Sequence, residues 1–263
     1  MKVHHLNCGT INSLFGHLVC HVLLLETANS LVLVDAGIGL CDAADPKRRL
    51  GLVRHVFRPT FDPAQTAVEQ VKRLGFGCED VRHIIATHCD WDHIGGVADF
   101  PHATVHVTTA EAAAFAVPGL RERMRYRHAQ LAHAPNIVRH GPSGEPWHGF
   151  AAAKELNDVA PGIVLIPTPG HSRGHACVAV DAGHRWVLHS GDAFYHRHVI
   201  NGRKPPIGLA MLEVLDARNL RQVRENQARL LELSQQAHND LLIVSAHDAQ
   251  LLLHAQKTAN PAA

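Results

Sequence analysis

Four predicted strands in this 263-residue chain run directly into residues that bind divalent metals. The run His83–Thr87 leads into THCDWDHIGG, where His88, Asp90, Asp92 and His93 fall within six residues. Ile163–Pro167 leads to His171 in PTPGHSRGH, Trp186–Ser190 to Asp192 in HSGDAFY, and Leu241–Ala246 to His247 in VSAHD. A single histidine after a strand means little. Four such positions call for a fold in which distant strands end at one sheet edge, so that their next residues face a common site. In an extended loop the side chains at 88, 90 and 92 share one side and can converge on one ion. His93 follows directly and needs a bend, which assigns it and Asp92 to a second ion.

The rest of the chain reads as an α/β protein. Further strands are expected at Leu18–Glu26, Leu31–Asp35, Thr104–Thr108 and Ala176–Asp181, with Asn29–Ser30 turning the first two into a hairpin. Asp62–Pro63 opens a helix that carries Ala64, Ala67, Val68, Val71 and Leu74 and stops at Gly75. Thr108-x-x-Glu111 is a capping box. A helix from Arg218 to Gln236 shows Leu220, Val223, Leu230 and Leu231 on one stripe. Residues 117–159 read as an insertion or lid on a single domain spanning 1–263, being too short for a core of their own.

Composition narrows the function class. Apolar residues at 46% and charged residues at 19% suit a folded globular chain. A formal charge of +1 gives no footing for nucleic acid or an anionic membrane. The best apolar run, Leu18 to Leu25, contains His21 and is too short to span a bilayer. The six cysteines form no CxxC pair and read as reduced thiols, and MKVHHLNCGTINS has no signal-like apolar core, so a cytoplasmic protein is expected. The 23 histidines contain no run longer than two, which excludes a tag.

Together the strand-end motifs resemble the metallo-β-lactamase superfamily over nearly the whole chain. The usual pattern is HxHxDH, a histidine in PGH, an aspartate after a strand and a late histidine. His88, Asp92, His93, His171, Asp192 and His247 match it in order. The resemblance implies an αββα sandwich of two mixed β-sheets flanked by helices, with the site at one edge. It implies two divalent metal ions: His88 and His171 on the first, Asp92, His93 and His247 on the second, Asp192 between them. Zinc is the implied metal, with iron or manganese as alternatives.

Asp90 departs from the pattern, which has histidine there. Four neutral histidines and three carboxylates carry −3 against +4 from two divalent ions, leaving +1 where the usual set leaves +2. A less positive site acidifies its water less and tolerates harder metals. Asp90 is read as a direct ligand, the alternative being that it orients His88 or His171.

The chemistry implied is hydrolysis: a hydroxide bridging the two metals attacks an ester-type carbonyl, and Asp92 can also accept a proton. Tyr195, three residues after Asp192, resembles the tyrosine of N-acyl-homoserine-lactone lactonases that donates a hydrogen bond to the substrate carbonyl. The alternative is a tyrosine that only packs. A small-molecule lactone is therefore the expected substrate, and a homodimer is implied by analogy. One alternative is a glyoxalase II-like thioesterase, weakened because Lys257 is the only basic side chain of the Lys/Arg type after His247. The other is a di-iron oxidoreductase related to flavodiiron proteins, which carry an acidic residue at the Asp90 position but continue into a flavin-binding domain.

Several residues near these motifs have plainer expectations. Asp35 in LVLVDAGIG hydrogen-bonds loop backbone, His175 packs beside the ligands, and Cys89 is a packed small hydrophobe. Arg121–Gln130 reads as a solvated helix face rather than a substrate contact. Trp147, His148 and Phe150 either line an acyl pocket or pin the insertion to the core.

Overall fold

Alternation along the central strands sorts side chains into two opposed layers, because successive residues of a strand face opposite ways. Leu24, Leu33 and Ile84 point to one side, where Ala67, Val68, Val71 and Ala114 from two helices cover them. Their neighbours Leu23, Leu25, Val32, Val34 and Ile85 point the other way and meet Ile163, Leu165, Val178, Val187 and Val244 of a second sheet. The outer face of that second sheet, with Ile166, Ala179, Leu188 and Ile243, packs on Leu230 and Leu233 of a third helix. Helix, sheet, sheet and helix thus stack as an αββα sandwich, in a computed structural model that describes residues 1–236 and 240–259.

Chain order divides between the sheets. The first contains β1 (Lys2–Ser13), β2 (Gly16–Glu26), β3 (Leu31–Val34), β4 (Pro59–Thr60), β5 (Val81–Ile85), β6 (Thr104–Thr108) and β7 (Ile137–His140). Their spatial order is β4-β1-β2-β3-β5-β6-β7. The second contains β8 (Glu145–Trp147), β9 (Phe150–Glu155), β10 (Ile163–Pro167), β11 (Ala176–Asp181), β12 (Trp186–His189) and β13 (Leu241–Val244), ordered β13-β12-β11-β10-β9-β8. Both sheets are mixed: β3, β5, β6 and β7 run parallel, as do β12 and β13, while the remaining pairs are antiparallel.

The eight strands expected from sequence are present, and β2 and β3 form the expected hairpin, with Leu23 opposite Val34. Four departures have physical causes. Strand β1 was not anticipated, because its twelve residues KVHHLNCGTINS mix histidine, asparagine and glycine with few apolar residues; pairing along β2 forms it. The helix expected after Asp62 is broken. Asp62 caps a single 3₁₀ turn at Pro63–Gln65, Thr66 is extended, and the α-helix runs over Ala67–Arg73. The long helix Leu220–Gln236 buries Val223, Asn226, Gln227, Leu230 and Leu233, whereas Leu220 is at the margin. Within 117–159, residues Ile137–His140 extend the first sheet and Glu145–Glu155 the edge of the second; only the part before them lies over the site.

A chain of imidazoles links the three strands β5, β6 and β7 at one edge of the first sheet. His83 Nδ1 lies 3.0 Å from His106 Nε2, and His106 Nδ1 lies 3.0 Å from His140 Nε2. Burial, and then the neighbouring His83 and His140, lower the pKa of His106 to about 4. An unfolded His106 takes a proton near the ordinary value of about 6.5, and the folded one does not. Unfolding therefore takes up a proton across that window, and stability is lost as pH falls from 6.5 through about 4. The melting temperature of a His106→Gln variant will fall less between pH 7 and pH 5 than that of the parent. An equal fall in both contradicts this account.

Candidate metal centre

The site begins at Asp35, just past β3. Its φ of +60° is a left-handed conformation that aspartate tolerates better than most side chains. From there Asp35 Oδ1 accepts the Thr87 N–H at 2.8 Å, and its oxygens take the Thr87 hydroxyl at 2.9–3.1 Å. Asp35 Oδ2 also takes His93 Nδ1 at 2.8 Å. The expectation that Asp35 bonds loop backbone is met, and it does more: one carboxylate fixes both ends of the 87–93 loop.

These bonds set the tautomers. With Nδ1 donating to Asp35, the His93 lone pair lies on Nε2. Because the Thr87 hydroxyl donates to Asp35, its oxygen accepts from His88 Nδ1 at 3.0 Å, which leaves His88 Nε2 as the free nitrogen. His247 Nδ1 donates to the Val19 carbonyl at 2.8 Å, again freeing Nε2. The bend that His93 needs is one helical turn, Trp91–Ile94, with Asp90 at its N-cap.

The freed nitrogens converge on carboxylates. His88, Asp90, His171 and Asp192 form one cluster, and Asp92, His93 and His247 another, with the donor atoms of each within 4.8 Å of one another. Asp192 reaches both: its Oδ2 is 3.7 Å from His88 and 3.4 Å from His171, while its Oδ1 is 3.2 Å from His93 and 3.0 Å from His247. All seven residues are buried. Burial raises the Asp192 carboxyl, but His247, His93 and His171 outweigh that and hold it well below the ordinary carboxylate range. His88 Nε2, His93 Nε2 and Asp192 Oδ1 are buried without a hydrogen-bond partner. Buried polar atoms are rarely left so, and these three point inward at the places where cations fit.

A second buried carboxylate, Glu111, braces both loops that carry the candidate ligands His88, Asp90 and His171. Thr108 caps the helix by accepting the Glu111 N–H at 3.1 Å, but Glu111 does not return the bond as a capping box would. Its Oε1 accepts from Cys89 N and from the Tyr126 hydroxyl, both at 2.9 Å; its Oε2 accepts from the Ser172 hydroxyl at 2.6 Å and from Gly174 N at 3.0 Å. Cys89 stands between two candidate ligands and Ser172 follows another. The sequence signal was present in Thr-x-x-Glu, but the long-range partners were not visible in it. His175 is likewise engaged, with Nδ1 on the Thr168 carbonyl at 3.1 Å and Nε2 accepting the Asp192 N–H at 3.0 Å. Cys89 packs in the first core cluster.

The run Arg121–Gln130 is not a solvated helix face. It forms two isolated 3₁₀ turns, Glu122–Met124 and His128–Leu131. Arg125, Tyr126 and Gln130 turn inward from it. Arg125 Nε lies 3.0 and 2.9 Å from the two Asp90 oxygens, and Nη2 lies 2.6 Å from Oδ2. Charge in a sequence reads as solvated until its partner is known, and here the partner is 35 residues away.

Above the clusters is a cavity of about 1020 Å³. Asp92, Asp192 and Tyr195 face it from below, and Phe57, Trp91 and Leu215 are among its apolar walls. The Tyr195 hydroxyl is 3.4 Å from His171 Nδ1 and donates to Asp216 Oδ2 at 3.3 Å. Asp216 was not anticipated; burial raises its carboxyl to about 6. Trp147, His148 and Phe150 do not line this cavity. Phe150 and Trp147 belong to the outer core of the second sheet.

Residues 15–233 match the family model described as the metallo-beta-lactamase superfamily. The chain belongs to the metallo-beta-lactamase superfamily. Within it, the chain is 58% identical to a probable metallo-hydrolase of Mycobacterium tuberculosis, over 98% of this chain and 84% of that one. It is 26% identical to an N-acyl homoserine lactonase of Bacillus cereus, over 70% of this chain and 68% of that one. Among solved structures it superposes on an N-acyl homoserine lactone hydrolase with N-hexanoyl-L-homoserine at its catalytic metal center. The TM-score is 0.72, with 21% identity over 95% of this chain and 94% of that one. The chain is thus a metallo-hydrolase of the superfamily, with a candidate site for two metals among its histidines and aspartates.

The brace predicts a measurable loss. In Glu111→Gln an amide NH₂ replaces one acceptor oxygen, so two of the four donors face a donor. Unfolding free energy from denaturant titration will fall by about 1–3 kcal/mol, and metal will pass to a chelator faster than from the parent. Unchanged stability together with unchanged release contradicts the brace.

Proposed function

We propose that this chain hydrolyses lactones with two divalent ions, most simply zinc, held by the seven residues His88, Asp90, Asp92, His93, His171, Asp192 and His247. The observation that carries the reading is Asp192, one oxygen of which faces each cluster at the floor of an apolar-walled cavity. His88, Asp90 and His171 would take the first ion, and Asp92, His93 and His247 the second. Two such ions supply an acidified water as nucleophile and polarise the substrate carbonyl.

The chain's own groups do the rest. The tautomers of His88, His93 and His247 are set by Thr87, Asp35 and Val19, so these three present their Nε2 atoms without reorganisation. Tyr195 presents its hydroxyl from the cavity floor and donates to a substrate oxygen, exchanging its long bond to Asp216 for a shorter one. Asp92 lines the cavity, where its carboxylate is placed to pass a proton to the leaving alkoxide. Phe57, Trp91, Leu212 and Leu215 offer an apolar surface to an acyl chain. The lactonases among the relatives and structural neighbours support the lactone over other esters.

The test is a panel of lactones, simple esters and thioesters, read by proton release. Lactones, N-acyl homoserine lactones among them, are expected to be the best substrates, and Tyr195→Phe is expected to lower kcat by about 100-fold on them. Turnover confined to thioesters overturns the lactone reading. An unchanged kcat in Tyr195→Phe removes Tyr195 from the reaction.

A further inference from the structure

Arg125 has all five of its N–H groups committed, which a surface arginine does not. Nε and one N–H of Nη2 are on Asp90. The second N–H of Nη2 touches His171 Nε2. Nη1 donates to the His171 carbonyl at 3.0 Å and to the Asp216 carbonyl at 2.7 Å. Asp216 is the last residue of the helix Ile207–Asp216, so the guanidinium also sits at the negative end of a helix. The side chain is 13% exposed. Only arginine can satisfy this planar set of acceptors.

Its position answers a charge problem. Asp90 is a third carboxylate in a centre that already holds Asp92 and Asp192, and like charges buried together are costly unless each is paired. With two divalent ions the four imidazoles and three carboxylates sum to +1, and Arg125 brings the centre to +2. We propose that Arg125 is the counter-charge of Asp90. Its guanidinium, bonded to both oxygens of this carboxylate, cancels the charge that an aspartate adds where a neutral imidazole would add none. This rests on the two-metal reading of the site.

The geometry also says what Arg125 does when the first cluster takes an ion. The single lone pair of His171 Nε2 cannot serve both an N–H and a cation. Nη2 gives up His171 on metal binding, while the bonds of Nε to Asp90 and of Nη1 to the two carbonyls remain. Asp90 keeps its partner, and Oδ2 retains a lone pair directed at His88, 3.3 Å away, and His171, 3.1 Å away.

The experiment compares four proteins: wild type, Asp90→His, Arg125→Gln and the double variant. Each is stripped of metal and titrated with zinc against a chromophoric chelator, with folding checked by circular dichroism. Asp90→His removes the carboxylate that Arg125 hydrogen-bonds and leaves the guanidinium buried beside two cations, and zinc affinity is expected to fall about tenfold or more. Adding Arg125→Gln removes the unpaired charge and is expected to bring affinity back to within about threefold of wild type. A structural arginine would give the opposite pattern, with Arg125→Gln weakening zinc in either background, and that result overturns the proposal. Should Asp90→His not fold, Arg125→Gln alone decides. Loss of a competing cation raises zinc affinity, and an equal or lower affinity overturns the counter-charge. Equal affinity in all four proteins refutes only the counter-charge, whereas a wild type that takes up no zinc overturns both this inference and the metal reading.

Discussion

The molecule depends on how it treats buried carboxylates. Removing a carboxylate from water costs several kcal/mol unless charge or hydrogen bonds replace the solvent, and this chain buries at least five near one sheet edge. Two are satisfied by protein alone. Asp35 takes Thr87 and His93, and Glu111 takes four donors from the ligand loops and Tyr126. These are struts, and they fix the loops that follow β5 and β10. Asp92 and Asp192 are not satisfied in the same way. Their neighbours are imidazole nitrogens with lone pairs of their own, and Asp192 Oδ1 has no hydrogen-bond partner. Acceptors facing acceptors make a candidate cation site, and the sandwich brings them together because β5, β10, β12 and β13 end on the same side.

The candidate ligands were legible because each follows a strand closely. Short apolar runs declare strands, and the first polar residue after a strand has its position fixed by the sheet. That logic singles out His88, His171, Asp192 and His247 as candidates, three of them on the second sheet or just beyond it. It failed where structure is created by pairing rather than by local pattern. Strand β1 is held by β2 and carries a mixed sequence of its own. Strands β7, β8 and β9 lie in the stretch 117–159 that reads as an insertion or lid, yet they complete the edges of both sheets.

Arg125 and Glu111 illustrate the other limit. Each was visible as part of a familiar local unit, a basic run and a capping motif, and each is used for something the local unit does not need. Glu111 leaves its cap half made to hold Cys89, Ser172 and Gly174. Arg125 leaves a surface turn to reach Asp90. The cost of burying a carboxylate explains both: Glu111 is solvated by neutral donors, and Asp90, a third carboxylate in the candidate metal centre, by a cation. The aspartate that departs from the usual motif is therefore read best together with its arginine. The pair, rather than Asp90 alone, stands where a neutral histidine would.

The central claim is that seven residues from four strand ends hold two metals with Asp192 between them. Anomalous diffraction from crystals of the zinc-loaded protein, recorded above and below the zinc edge, tests it directly. The account predicts two peaks, one among His88, Asp90, His171 and Asp192 and one among Asp92, His93, His247 and Asp192. A single peak, or peaks away from Asp192, would contradict it.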